Sequence, residues 1–314
     1  MRFGMDFGGT NLKAGVFTES GESVVFEQTP LRAHLQGDLL DNLIVYALRL
    51  TGGYDLTVGG LAIKGLVDSG AGRVVEDLGE GNLLAGADLR GAFGRALGIP
   101  FAVENDARAY AWGEWRFGAG QGTAVMVCFT LGTGVGGATV AHGAPYIGAD
   151  PLSGIHGGHL TIDRNGPRCP CGSRGCLELY CSATAFRARV EDAHLDLPSA
   201  VGATLPAFFE AVRTHGAPYQ ATLDRYLDDL ALGVVNAVHA FGPDLVVLGG
   251  GVMNSADCIL PGLAERVGAA AWTVPRGGVR VAAAALGSRA AALGAAFHPS
   301  LEHPAGMPRP SPTG

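Results

Sequence analysis

A glycine turn between two short strands occurs twice in this chain, and the repetition limits its architecture more than any other feature. In the first copy, Arg2–Asp6 reads as a short strand that leads into the turn Gly8-Gly9-Thr10. A second strand follows over Leu12–Thr18, and after Glu19-Ser20-Gly21 a third over Ser23–Gln28, so the start of the chain reads as an antiparallel meander. In the second copy, a buried strand over Ala124–Leu131 runs into Gly132-Thr133-Gly134-Val135-Gly136-Gly137 and returns over Ala138–His142. Around them, apolar spacing predicts helices over Leu39–Leu50, Leu89–Leu97, Leu223–Phe241 and Arg289–Phe297. It also predicts buried strands over Val58–Ile63, Ile99–Val103 and Asp244–Leu248. Two such units at corresponding places imply two related α/β half-folds with a cleft between them.

The bulk numbers agree. The chain has 314 residues, and domains hold roughly 100–200 each, which predicts two. Hydrophobic residues make up 47 % and charged residues 16 %, enough for a large core. A net charge of −7 leaves no broad basic field for nucleic acid or anionic lipid. No apolar run is long enough to span a bilayer. Met1–Asp6 lacks the apolar core of a signal peptide, so the expectation is a cytoplasmic chain with reduced thiols. Two lysines, Lys13 and Lys64, stand against 20 arginines, a bias read as genome composition. His298 to Gly314 holds five prolines and reads as a loose tail.

Glycines after a strand let backbone amides turn toward an anion with no side chain in the way. The Thr10 hydroxyl adds a hydrogen bond, and Asp6 at the strand end can hold Mg²⁺, directly or through water. Taken alone, Gly8-Gly9-Thr10 is also what an ordinary hairpin needs. Thr130, Gly132, Thr133 and Gly134 repeat the logic, and one phosphate-type turn in each half fits a polyphosphate held between two domains. Neither is a Walker loop, because no Gly-Lys-Ser/Thr follows, nor a dinucleotide fingerprint, because Gly132–Gly137 leads into a strand. A third turn, Gly249-Gly250-Gly251, either admits the flat face of adenine or simply connects strand to helix.

Glu104-Asn105-Asp106-Ala107 directly follows the strand Ile99–Val103. Phosphoryl transfer asks mainly for positioning and charge stabilisation, plus one base to take the proton of the attacking hydroxyl. Such a base is worth roughly 10²–10⁴-fold. Asn105 offers a donor and an acceptor to a sugar hydroxyl, although an isolated Asn-Asp pair reads equally well as a helix N-cap. Cys169, Cys171 and Cys176, with His159 upstream, make a Cys₃His set, the donor set of a closed structural Zn²⁺ site. Cys128, Cys181 and Cys258 sit in apolar surroundings and read as core residues.

Asp6-Phe-Gly-Gly-Thr-Asn11, Glu104-Asn-Asp-Ala107, Leu131-Gly-Thr-Gly-Val-Gly-Gly137 and Cys169-Pro-Cys-Gly-Ser-Arg-Gly-Cys-Leu-Glu178, in that order, resemble the motifs of the ROK family of repressors, open reading frames and sugar kinases. The resemblance runs from about Arg2 to Phe297. It implies an actin/hexokinase-like fold of duplicated ribonuclease H-like units, with residues 1–108 plus 289–298 in a small domain. Residues 109–288 would form a larger domain with the zinc loop, and 299–314 a tail. It further implies ATP with Mg²⁺ as donor, structural Zn²⁺, and a hexose hydroxyl as acceptor, most often the 6-hydroxyl, with Asp106 as general base. Gly65, Asn82, Asn105, His159 and Glu178 would contact the sugar, and Asp6, Gly8, Gly9, Thr10, Asn11 and the second and third turns the nucleotide. The family commonly forms dimers or tetramers, which implies a homodimer or homotetramer here.

At one place the chain departs from the family. Family sugar kinases commonly read Gly-Glu-x-Gly-His where this chain reads Ile155-His156-Gly157-Gly158-His159. A carboxylate accepts two or more hydroxyl protons, whereas a neutral imidazole accepts one and donates one. His156 therefore predicts weaker glucose binding or a different sugar, an N-acetylated amino sugar included. A protein that binds sugar or nucleotide without turnover is the alternative. Family repressors carry an N-terminal helix-turn-helix domain, and the first turn here begins already at Asp6.

Overall fold

The computed structural model describes residues 1–76, 84–150, 152, 154, 156–197 and 204–302. In chain order the first elements are β1 (Arg2–Phe7), β2 (Asn11–Phe17), β3 (Ser23–Pro30), α1 (Leu39–Thr51) and β4 (Val58–Ile63). They are followed by β5 (Leu66–Asp68), β6 (Arg73–Glu76), α2 (Leu89–Leu97), β7 (Phe101–Asn105) and α3 (Asp106–Phe117). Then come β8 (Val125–Leu131), β9 (Val135–Ala141), β10 (Ala144–Pro145), α4 (Glu178–Cys181), α5 (Ala183–Asp192) and α6 (Thr204–His215). The chain closes with α7 (Tyr219–Phe241), β11 (Leu245–Gly249), α8 (Ala256–Ala270), β12 (Arg280–Ala283) and α9 (Ala290–Ala296). It divides into two compact units, Met1–Gly113 with the chain from Arg289 onward, and Glu114–Ser288. Among the described residues no helix is long and apolar enough to cross a membrane.

The first unit is built on a five-stranded sheet ordered β3-β2-β1-β4-β7. β1 pairs antiparallel with β2 and parallel with β4, and β4 runs parallel to β7. α1 buries Leu39, Leu43, Tyr46, Ala47 and Leu50, a stripe at helical spacing, against the sheet. Each fully buried side chain of that size contributes roughly 1.5–3 kcal/mol. Asp38 starts the helix by accepting the Asp41 N–H at 3.0 Å. α9 packs by small residues: a Cβ on Gly4 or Gly60 would lie 2.0 Å from the carbonyl oxygen of Ala292 or Ala295. Glycine in β1 and β4 thus lets the helix backbone settle directly on the strands.

The second unit repeats the pattern with a sheet ordered β10-β9-β8-β11-β12. β8 is antiparallel to β9 and parallel to β11, which is parallel to β12. The strand–turn–strand unit read twice in the sequence is therefore the first hairpin of each sheet. α7 buries a long stripe that includes Leu223, Tyr226, Leu227, Leu230 and Val234, and the Tyr226 ring stacks on Phe186 of α5 with centroids 3.9 Å apart.

Several expectations need correction. β7 starts at Phe101 and runs through Asn105 rather than over Ile99–Val103, because Pro100 has no N–H to give a ladder and only its carbonyl is used, by Gly59 N–H. Cys128 and Cys181 are buried, but Cys258 is half-buried on α8, one position off the buried stripe Ile259, Leu263 and Val267. The stretch from His298 is not loose as far as it is described. Pro299–Leu301 forms a 3-10 turn, and His298 Nε2 lies 3.2 Å from buried Glu104 Oε2. Residues 303–314 lie outside the described residues.

Candidate active site

In the first unit the chemistry gathers at the ends of neighbouring strands. β1 delivers Asp6, and the turn after it is closed by Gly8 N–H to Asn11 O at 3.1 Å. Gly9 and Thr10 are exposed, and a Cβ on Gly9 would meet nothing within 4 Å. Asp6 faces Lys13 directly across the hairpin, with Nζ 2.8 Å from Oδ2. Burial raises the Asp6 carboxyl above its ordinary range, and the Lys13 charge and hydrogen bond pull it back in part. Lys13 was not anticipated as part of the site. Its signal was in the pairing, because counting outward from the turn brings Asp6 opposite Lys13.

β7 ends at Asn105 and α3 begins at Asp106. Asn105 caps the helix: its Oδ1 accepts N–H bonds from Ala107 at 3.0 Å and Arg108 at 3.2 Å. Its Nδ2 donates to Gly65 O at 3.1 Å. Both oxygen lone pairs are thus committed, so Asn105 has an amide N–H to offer a ligand but not the acceptor expected from sequence. Gly65 reaches this contact at φ +102°, backbone that suits glycine. Beneath them, buried Glu104 accepts Asn105 N–H at 2.7 Å and pairs with Arg108 at 2.7 Å, and Arg108 also donates to Val67 O. Asp106 is thereby fixed at the head of a helix whose first turn is anchored from below. Burial first, then the Asp6 charge, push its carboxyl up to about 6, against the Ala107 N–H bond and Lys13. A carboxylate that titrates there accepts a proton more readily than an ordinary aspartate. Asn82 lies outside the described residues.

In the second unit the turn after β8 is braced from three sides. Ala183 N–H bonds Gly132 O at 2.7 Å, Thr184 Oγ1 bonds Thr133 O at 2.9 Å, and Glu178 Oε2 accepts Val135 N–H at 2.8 Å. Thr130 precedes the turn, paired with Gly136 and Gly249 in the ladder. The Gly249-Gly250-Gly251 turn lies against the same strand: Gly250 has φ +88°, and a Cβ there would be 2.4 Å from Leu131 O. Beside Gly251 opens a pocket of about 420 Å³, lined by Ala183, Arg187, Thr204, Leu205, Pro206 and Val252.

The four Cys₃His ligand atoms lie within 4.8 Å of one another. Cys171 Sγ and Cys176 Sγ are 3.6 Å apart, as are Cys169 Sγ and His159 Nδ1. A tetrahedron with Zn–S bonds of about 2.3 Å has edges of about 3.8 Å, so the residues fit the metal. His159 would turn Nδ1, the atom beside Cys169 Sγ, toward it, which would leave Nε2 for another partner. Gly157 and Gly158 carry His159 in a 3-10 turn laid on β9. A Cβ on Gly158 would stand 1.9 Å from Val135 O, and one on Gly157 2.8 Å from Gly137 Cα. His156 begins that turn and is exposed. Glu178, expected to reach the sugar, opens α4 and spends one oxygen on the glycine turn.

The sequence matches the ROK family over residues 2–298. It is 30 % identical to a glucokinase of Thermotoga maritima over 276 residues, 84 % of this chain and 86 % of that protein. It is 31 % identical to an N-acetyl-D-glucosamine kinase of Pectobacterium atrosepticum over 274 residues, 81 % of this chain and 84 % of that one. The crystal structure of a ROK family glucokinase from Streptomyces griseus in complex with glucose and AMPPNP superposes with a TM-score of 0.77 at 28 % identity, covering 94 % of this chain and 97 % of that chain. The duplicated sheets are those of the actin/hexokinase-like fold. On this match across nearly the whole chain, the protein is a member of the ROK family.

Proposed function

We propose that this protein is an ATP-dependent hexose kinase in which Asp106 takes the proton of the acceptor hydroxyl, most often the 6-hydroxyl. The observation that carries the reading is Asp106 itself: an acid at the head of α3, raised to about 6, in the same unit as the glycine turn at Gly8–Thr10. The family relationship and the kinases among the similar proteins support it.

The nucleotide phosphates are assigned to backbone N–H groups of the two glycine turns, with Thr10, Asn11, Thr130 and Thr133 adding polar side chains. Asp6 offers the hard oxygen that suits Mg²⁺, and the bound ion would neutralise charge on the transferred phosphoryl group. The adenine is assigned to the pocket beside Gly251. Asn105, Gly65, His159 and Glu178 are assigned to the sugar, with Asn82 by resemblance. Zn²⁺ would fix the tautomer and aim of His159, so that Nε2 faces the sugar while Nδ1 binds the metal. His156, where family kinases commonly carry glutamate, changes the polar group offered to the sugar, which supports a preference other than glucose. The resemblance also supports a homodimer or homotetramer, measurable by analytical ultracentrifugation, and a cytoplasmic location.

The test is a coupled ADP-release screen of the zinc-loaded protein with Mg-ATP against glucose, mannose, fructose, allose, N-acetylglucosamine and N-acetylmannosamine. One sugar turned over well above the rest is the expected result and identifies what His156 selects. Sugar binding by calorimetry with no ADP release for any of them would replace the kinase by a binding protein.

A further inference from the structure

Arg187 stands on α5 one turn beyond the residues that brace the glycine turn after β8. Ala183 N–H holds Gly132 O and Thr184 Oγ1 holds Thr133 O. Arg187 lies four residues after Ala183 and three after Thr184, so all three share one helix face. Ala183 and Arg187 both line the 420 Å³ pocket. One helix face therefore connects the phosphate-type turn to the pocket, and a single ligand with an anionic end and a flat end can use both. The rest of the lining is Leu205, Pro206, Val252 and the backbone of Gly251, with one hydroxyl, that of Thr204, which donates to Glu191 Oε1 at 3.4 Å. Arg187 is exposed and makes no hydrogen bond or ion pair with any described residue. A guanidinium in that position has a planar cationic face to give, and a polyphosphate extending into this pocket would meet one cation, the Thr204 hydroxyl and otherwise apolar side chains.

We propose that Arg187 is the base-recognising residue of the donor site: its guanidinium packs over the face of a purine seated in this pocket, which makes the donor a purine nucleotide rather than a polyphosphate. The inference rests on the assignment of the second unit's turns to a nucleotide. A guanidinium over an aromatic face contributes a contact that a phosphate chain cannot use. Apolar contact with Leu205, Pro206 and Val252 adds affinity without discriminating among bases.

The experiment compares the wild type with Arg187→Ala and Arg187→Lys, full-length and zinc-loaded, by calorimetric titration with ADP and separately with inorganic tripolyphosphate. Because Arg187 is an exposed helix residue, both variants keep the fold, and circular dichroism checks that. Arg187→Ala is expected to bind ADP about 5–30-fold more weakly and tripolyphosphate as the wild type does. Arg187→Lys should recover only a minor part of the loss, because an ammonium has no planar face. Equal loss for ADP and tripolyphosphate would place Arg187 on the phosphates and overturn the proposal, as would unchanged ADP binding by Arg187→Ala. A wild type that binds tripolyphosphate but no ADP overturns the nucleotide assignment itself, and this inference with it.

Discussion

The two units are built on one plan and furnished differently. In each, a central strand pairs with an antiparallel neighbour across a glycine turn and, on the other side, with a parallel strand that itself pairs with a second parallel strand. In each, the fourth strand is followed by a glycine at positive φ, Gly65 after β4 and Gly250 after β11. The fifth strand is where they part. β7 runs into Glu104-Asn105-Asp106 and the head of a helix, whereas β12 is followed by Ala284-Ala285-Leu286, without an acid. The turns differ too: the first is open and held mainly by its own backbone, while the second is held by Ala183, Thr184 and Glu178. A duplicated frame supplies equivalent strand ends, and the side chains set on them divide the work. On the proposed reading the first unit would carry the proton acceptor, and the second a braced glycine turn and the Cys₃His cluster that fits a metal.

The sharpest way to break this division is at Asp106. Asp106→Asn is expected to lower sugar phosphorylation by roughly 10²–10⁴-fold, with ADP binding by calorimetry unchanged. In the wild type, turnover should fall as the pH drops through about 6, because protonated Asp106 accepts nothing. A pH–rate profile with no acid limb, or an Asn variant of near-normal rate, would remove the first unit's assigned role.

For the second unit the metal is the next lever. Elemental analysis should find about one zinc per chain, and stripping it should lower the melting temperature by several degrees. Less is expected than for an isolated zinc peptide, because α5, α7 and the sheet have a core without the metal. A stripped protein with unchanged melting would deny the cluster a structural part.

The same substitution made in both turns tests the difference between them directly. Gly134→Ala puts a Cβ 2.3 Å from Glu178 Oε2, while Gly9→Ala meets nothing within 4 Å. The first should cost about 1–3 kcal/mol, by urea denaturation, and the second less than about 0.5 kcal/mol. Equal costs would mean that the bracing of the second turn contributes nothing.

Legibility in the sequence followed the source of each element's stability. The hairpins were readable because glycine turns and alternating apolar residues are local signals. α3 was not, because Ala109 and Gly113, one turn apart, pack against the α9 backbone: a Cβ on Gly113 would reach Ala290 O at 2.3 Å, and one on Gly294 would reach Ala109 O at 1.8 Å. Close backbone packing leaves no large apolar stripe to read. The Cys₃His set was visible as residue types at short spacing. The Lys13–Asp6 pair was recoverable from strand register alone, although each residue had been read separately. The commitment of Asn105 Oδ1 to a helix cap, the brace from Glu178 and the pocket at Arg187 depend on contacts between distant segments, which no local pattern encodes.

Asp106 should also mark the first unit as the one whose chemistry costs stability. Its carboxyl is raised from the ordinary 3.8 to about 6 in the folded chain, mainly by burial. A folded-state value above the unfolded one means that the folded protein holds the proton more tightly. Its contribution is therefore fully favourable below about pH 4 and is lost as the pH rises through 6. At pH 8, where Asp106 is charged in both states, the shift corresponds to a penalty of up to about 3 kcal/mol. Asp106→Asn removes the charge, so in Mg²⁺-free buffer it should melt higher than the wild type at pH 8, with the gap closing toward pH 4. A gap that stays constant with pH would mean that the Asn variant gains by packing rather than by relief of a buried charge. A variant that melts lower at pH 8 would mean that the ionised carboxylate is held there by favourable contacts, with Lys13 outweighing burial.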